Sequence, residues 1–407
     1  MDILRPVVRP YAWGSRHAIA ELQGRPVPAA GPEAELWMGG HPSAPSGVDR
    51  AGRPTTLDSV IAADPDRELG PGCVARFGPR LPFLLKVLSA DKALSIQVHP
   101  SRAQAQAGFR AENERGLAPA DPARNYVDDW PKPELLCALT PFEVLAGLRP
   151  PADAAGFLRA LGVAQLHPLA AQLEAVSLPP FAPPAPVVSS IAGVLGSILD
   201  WPAADRPALV AAVVAACARL ASLGGPYADA CAAAVRIAAA HPGDIGVVAS
   251  LLMRHAVLAS GQAMFVPAGG LHAYLRGTGI ELLANSDNVV RAGLTGKHLD
   301  VPELLKLLDP AVVVPVLSPL VLPDGITWYD TPAPEFRLYL VKLTGNTVAL
   351  PGEGPRVLLN TEGSAVLKNE SGESVEIARG GSCFVAAADG PVRASGHAHL
   401  VLAAPGT

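Results

Sequence analysis

Cysteine is scarce in this chain, with five residues among 407, an odd number, scattered and without a CxxC pair. None of Cys73, Cys137, Cys217, Cys231 and Cys383 reads as a metal ligand, and such usage points to a reduced, cytoplasmic compartment. Aromatic residues make up 5% of the sequence and charged residues 17%, with a net charge of −5. The absence of a basic excess argues against nucleic-acid binding, although a local basic pocket for a small anion stays open. The opening "MDILRPVVRPYAWGSRH" has no apolar run of signal-peptide length. The most apolar helical stretch, "ALVAAVVAACARLASL", meets Arg219 short of membrane-spanning length. The expected partner is a small molecule, with no nucleic acid and no membrane, and the expected state is a monomer or weak homo-oligomer.

Apolar residues are plentiful, at 49%, so a large core is available and disorder is not indicated. The length exceeds one ordinary core and implies two or three units. Short apolar runs broken by Gly, Pro and Asp fill residues 1–150, with a helix expected around "SRAQAQAGFRAENERG". Alanine and leucine dominate 151–260, which predicts a helical unit interrupted by the Pro-rich "SLPPFAPPAPVV", an expected extended loop. Strand texture returns over 261–311. There "DVPELLKLL" predicts a helix with Asp300 as N-cap, Glu303 three positions on and Pro302 in its first turn. Residues 312–407 hold short strand-like runs between glycine-rich turns, as in a jelly-roll β domain. The fold class is therefore mainly β with a helical insertion.

In "LSIQVHP", Leu94, Ile96 and Val98 alternate with Ser95, Gln97 and His99. A half-buried strand follows, with Gln97 and His99 on one face. His272 lies in "FVPAGGLHAYL", where glycines permit close backbone approach. Glu134 interrupts the apolar run of "KPELLCAL", with Lys132 on the same side if the segment is extended. Gln, two His and Glu form a ligand set suited to zinc. His397 and His399, in "HAH", are a rival pair without an acidic neighbour in sequence. His17, His41, His167, His241 and His255 read as structural or solvated. "IELLANSDNVVRAGLTGKHLD" carries Glu281, Asp287, Arg291 and Lys297; its Arg and Lys could hold a phosphate, and its carboxylates could serve as acid or base. A charged surface loop is the competing reading.

Taken together, "YAWGS", "AELWMGGHPSAPS", "LPFLLKVLSADKALSIQVHP", "KPELLCALTPFEVLAGLR" and "FVPAGGLHAYLRGTGIELLANSDNVVRAGLTGKHLDVPELL" resemble the type I phosphomannose isomerases of the cupin superfamily. The resemblance implies two cupin-type jelly-roll barrels, catalytic and C-terminal, with an all-α unit between. The catalytic part covers 1–150 and 261–311. It also implies one Zn2+ per chain, held by Gln97, His99, Glu134 and His272. The family's essential arginine falls on Arg291, and the other catalytic candidates fall on Lys132, Glu281 and Asp287. Lys297, Arg291 and Ser95 would bind the phosphate and sugar. The implied reaction interconverts D-mannose 6-phosphate and D-fructose 6-phosphate through a cis-enediol, feeding mannose into glycolysis or supplying GDP-mannose synthesis. One departure stands out: "DWPKPEL" has Trp130 and Pro131 where relatives often read Asn-His, so ring opening must use another group, such as Lys132 or a water. A non-catalytic sugar-phosphate-binding cupin and an iron-dependent cupin oxygenase are the alternative readings.

Overall fold

The strand Phe83–Ala90 is buried along its whole length because both of its faces are covered. Phe83, Leu85 and Val87 join a core that also holds Leu338, Val357, Phe384 and Val401 from the C-terminal sheet. Lys86 and Leu88, on the other face, line a pocket. A sheet covered on both sides reads as a near-continuous apolar run, and "FLLKVLSA" is one. This computed structural model describes residues 1–176 and 190–406. The Pro-rich stretch 177–188, expected as an extended loop, lies outside the described residues.

The strands form an eleven-stranded sheet system around the pocket and an eight-stranded C-terminal sheet, with a separate two-stranded pair. Together with the helices this is the expected class, mainly β with a helical insertion. Strand His272–Ala284 links the two halves of the larger system. Its first part pairs with Phe142–Leu148 and Gln97–Val98, and its second part with Phe83–Ala90 and Glu134–Ala138. The change of direction falls at Gly277, where φ is +140° and a Cβ would lie 2.8 Å from the Phe142 ring. Only glycine fits there without strain.

Six helices occupy the described part of 151–250, from Pro151–Leu161 to Gly246–Ser250. Strand Met253–Leu258 then pairs with Phe142–Leu148, so the stretch expected as helical to residue 260 ends in a strand. The helices share a core with Ile96, Val98, Ala273 and Val290. Helix Arg206–Leu223 is long and apolar enough to cross a membrane by length and composition, which corrects the expectation drawn from Arg219. Its Leu209, Val210, Val213, Ala216 and Cys217 are buried in the helical core. Helix Val301–Leu307 forms with Asp300 as N-cap, accepting from the Glu303 amide at 3.0 Å. Helix Arg102–Glu114 starts at a Ser101–Gln104 capping box. The N-terminal strand Asp2–Ile3 pairs with Ser382–Val385 in the C-terminal sheet, a pairing that local patterning does not reveal.

Candidate active site

The alternation in "LSIQVHP" resolves into two environments. Ile96 and Val98 face the helical core, while Ser95 and Gln97 line a pocket of about 580 Å³, a volume in the usual range for small-molecule sites. Gln97 lies opposite His272 on one side and Arg291 on the other. Directly opposed residues of antiparallel strands project from the same face, so all three are directed together. The Gln97 side-chain amide donates to Ser95 Oγ at 2.9 Å, which leaves its carbonyl oxygen for another partner.

His99, Glu134 and His272 converge, their ligand atoms lying within 4.8 Å of one another, and all three are buried. His99 Nδ1 lies 2.8 Å from the carbonyl oxygen of Asn288, and His272 Nδ1 lies 3.2 Å from that of Gly270. A carbonyl only accepts, so each Nδ1 carries the proton and each Nε2 presents a lone pair. Those lone pairs face Glu134, at 3.2 Å for His99 with Oε1 and 3.3 Å for His272 with Oε2. A carboxylate is also an acceptor, and His99 Nε2 is correspondingly a buried atom without a hydrogen-bond partner. Three converging acceptors of this kind could hold a cation between them. Ligand atoms about 2.0–2.1 Å from a tetrahedral zinc stand about 3.3 Å apart, so the donor set fits that ion in type and spacing. Gln97 lies opposite His272 in the strand register, on the same face.

Burial pulls the His99 imidazole down to about 4, with Lys132 and His272 acting in the same sense. Burial pushes the Glu134 carboxyl up, but His99, Lys132 and His272 together hold it well below its usual range. An unfolded imidazole binds a proton near its ordinary 6.5 that buried His99 refuses until about 4. The metal-free protein therefore loses stability as pH falls through that window, by up to about 1.4 kcal/mol per pH unit from this group. Glu134 continues the loss in the same direction below the ordinary carboxylate range. Urea midpoints of chelator-treated protein between about pH 7 and 5 should show this slope, and His99→Gln should flatten it.

A second charged group lies across the pocket floor. Lys86 Nζ is 2.9 Å from Glu281 Oε2 and 3.7 Å from Glu35 Oε1, all three residues being buried. Burial pulls the Lys86 ammonium down, but Glu281 and Glu35 outweigh it and leave it raised. Burial, with Glu134 and Glu35, pushes the Glu281 carboxyl up against the pull of Lys86. Lys132 Nζ lies 3.2 Å from Glu134 Oε1, confirming that the two share a side, and the Tyr274 hydroxyl donates to Glu134 Oε2 at 3.2 Å.

Arg291 and Lys297 border the same pocket with Thr295 and Gly296. Burial alone pulls the Arg291 guanidinium down, with no carboxylate acting on it. Burial and then Arg291 pull Lys297 down, against a weaker pull from Glu35. Two cations at one rim that make no ion pair with a carboxylate among the described residues suit a phosphate dianion.

The pocket thus gathers Ser95, Gln97, Lys132, Glu134, Glu281, Asp287, Arg291 and Lys297, with His99 and His272 behind Glu134. The segment 285–288 is tied to the segment before Lys132 by Asp128. Its carboxylate accepts from Ser286 Oγ at 2.8 Å and from the Asp287 amide at 2.9 Å. Sequence reasoning missed Lys86, Glu35, Trp37, Tyr274 and His41. The signal for Lys86 was a lone cation inside "FLLKVL". His41, expected to be structural or solvated, is buried and pairs with Asp287 at 3.4 Å. His399 pairs with Glu362 at 2.9 Å on an exposed face, and the "HAH" pair gathers no ligand cluster among the described residues.

Residues 1–151 match the family model of the phosphomannose isomerase type I catalytic domain. The mannose-6-phosphate isomerase of Escherichia coli (strain K12) is 35% identical over 398 residues, 97% of this chain and 96% of that protein. The chain belongs to the mannose-6-phosphate isomerase family. The mannose-6-phosphate isomerase of Bos taurus is 34% identical over 361 residues, 84% of this chain and 81% of that protein. A crystal structure of a phosphomannose isomerase mutant from Salmonella typhimurium superposes with a TM-score of 0.89, at 33% identity, covering 100% of both chains. Zinc-bound mannose 6-phosphate isomerase gives a TM-score of 0.87 at 32% identity, covering 100% of this chain and 99% of that one. Membership of the mannose-6-phosphate isomerase family makes this chain an aldose–ketose isomerase and does not support the oxygenase or the non-catalytic sensor.

Proposed function

We propose that this pocket interconverts D-mannose 6-phosphate and D-fructose 6-phosphate, with zinc at Gln97, His99, Glu134 and His272. The observation that carries the reading is the convergence of two imidazole lone pairs and a carboxylate beside an Arg291–Lys297 rim that makes no ion pair among the described residues. Bound zinc supplies a fixed positive charge that polarises a sugar oxygen and offsets the charge developed towards the cis-enediol. Arg291 and Lys297 bind the phosphate, and Ser95 contacts the sugar. Lys132, Glu281 and Asp287 are the candidate proton carriers at C1 and C2; burial pushes the Glu281 carboxyl up, while His41 and the nearby lysines outweigh burial and hold Asp287 down, so the two carboxyls are set apart. Asp287 is the one whose side chain is substantially exposed, at 44%.

The wider assignments follow from the same reading. Residues 1–150 and 261–311 form the catalytic part, 151–260 the helical unit and 312–407 the C-terminal β domain. The enzyme works in the cytoplasm, in keeping with five free cysteines, as a monomer or weak homo-oligomer without nucleic-acid or membrane partners. A coupled assay on mannose 6-phosphate tests the function directly. Activity should be present in the purified protein, vanish on chelation and return with zinc; activity indifferent to chelation would reject the metal role.

A further inference from the structure

His41 is 4% exposed, its Nδ1 is hydrogen-bonded, and its Nε2 faces a carboxylate at a distance a little beyond a formed hydrogen bond. Nδ1 lies 3.2 Å from the Ser43 amide nitrogen and 2.9 Å from Ser43 Oγ. A backbone N–H can only donate, so Nδ1 accepts and the ring proton sits on Nε2. Nε2 lies 3.4 Å from Asp287 Oδ2, directed at a carboxylate that lines the pocket. The ring is fixed by an edge-to-face contact with Trp37, centroids 4.9 Å apart at 74°. Its loop is closed by hydrogen bonds from the Ala44 amide to the His41 carbonyl and from the Ser46 amide to the Gly39 carbonyl.

We infer that His41 is a positioning residue, donating from Nε2 to Asp287 so that this carboxylate stays aimed into the pocket for proton transfer. The inference rests on the placement of Asp287 in the catalytic set above. It also bears on the departure at "DWPKPEL". Pro131 has no proton carrier, and Trp130 beside it is buried with the Arg80 guanidinium 3.8 Å above its ring. His41 is then an imidazole outside the proposed metal set that faces a pocket-lining acid. The other charged groups facing Asp287 are Lys86 and Lys132, which favour its ionised form, and Asp128, which opposes it. None of them fixes the direction of the carboxylate as a hydrogen-bond donor on a rigid ring does.

The test uses zinc-loaded enzyme and four variants. His41→Phe keeps the contact with Trp37 but has no N–H, whereas His41→Gln restores a donor at similar reach. His41→Phe should lower kcat about 10-fold or more, a part of the range for general acid–base catalysis, with KM, zinc content and Tm little changed. His41→Gln should recover most of the loss. In a double-mutant cycle, His41→Phe should cost nothing further once Asp287→Asn is present, because coupled residues are non-additive. If His41→Phe does not fold, His41→Asn, too short to reach Asp287, replaces it. The inference is overturned by normal kcat in His41→Phe, by a loss that multiplies with that of Asp287→Asn, or by no recovery in His41→Gln. Full activity of Asp287→Asn would overturn it together with the catalytic-set placement, while inactive unmodified enzyme would reject the proposed function itself.

Discussion

The Glu134→Ala variant should bind no zinc tightly and lose at least about 10³-fold in kcat, since a metal acting as Lewis acid supplies several kcal/mol of transition-state stabilisation. Glu134 is the anionic member of the proposed ligand set, and both imidazole lone pairs face it. Removing it leaves neutral donors only and strands the Lys132 ammonium, which lies 3.2 Å from Glu134 Oε1, beside any incoming cation. Excess zinc should therefore restore little. Metal analysis after gel filtration, paired with the coupled assay, gives both readouts. A variant that kept stoichiometric zinc would show that the histidines and Gln97 suffice, and would remove Glu134 from the ligand set.

Lys86→Met should destabilise the fold by about 3–5 kcal/mol, the usual consequence of leaving a buried charge without its partner. Lys86 lies between Glu281 and Glu35 and over the Trp37 ring at 4.9 Å. Without the ammonium, the two carboxylates are buried and face each other across an apolar stem. Burial already pushes Glu281 up, and Lys86 is the strongest of the groups that pull it down, ahead of Lys132. In the variant its folded pKa rises further above the unfolded value. Stability from the protonated form is then present at low pH and lost as pH rises through the new value. The variant should be less impaired near pH 5 than near pH 8, and Lys86→Met/Glu281→Gln should recover part of the loss. Denaturant unfolding at both pH values checks this; equal destabilisation at both would mean that Glu281 does not change protonation.

Alternation alone made one face of the site legible. It placed Gln97 and His99 together and separated them from Ile96 and Val98, which do face the helical core. Glu134 and His272 come from other strands, and only the succession of matching segments tied them to that pair. The long-range residues stayed hidden for a physical reason. A cation in "FLLKVL" belongs in water by ordinary expectation, and its partner Glu281 sits on another strand, opposite it in the sheet register. His41 lies in a Gly-, Pro- and Ser-rich loop, where histidine reads as solvated, and its partner is distant in sequence. The helix starting at Asp300 was legible because capping is local. The end of the helical unit was not, because Met253–Leu258 becomes a strand through pairing with Phe142–Leu148.

The pairing of strand Asp2–Ile3 with strand Ser382–Val385 sets an order on folding. Asp2–Ile3 has its place in the C-terminal sheet beside Ser382–Val385, so strand Asp2–Ile3 waits for a partner some 380 residues further along the chain. Until then Leu36, Leu85, Leu135 and Ile280, which share a core with Phe384 and Val401, have no cover. Such a delayed closure is slow, because distant contacts form only after their loop entropy is overcome. The nascent catalytic half is thus the stage of this protein's life most exposed to aggregation, and the C-terminal sheet serves it as a built-in shield.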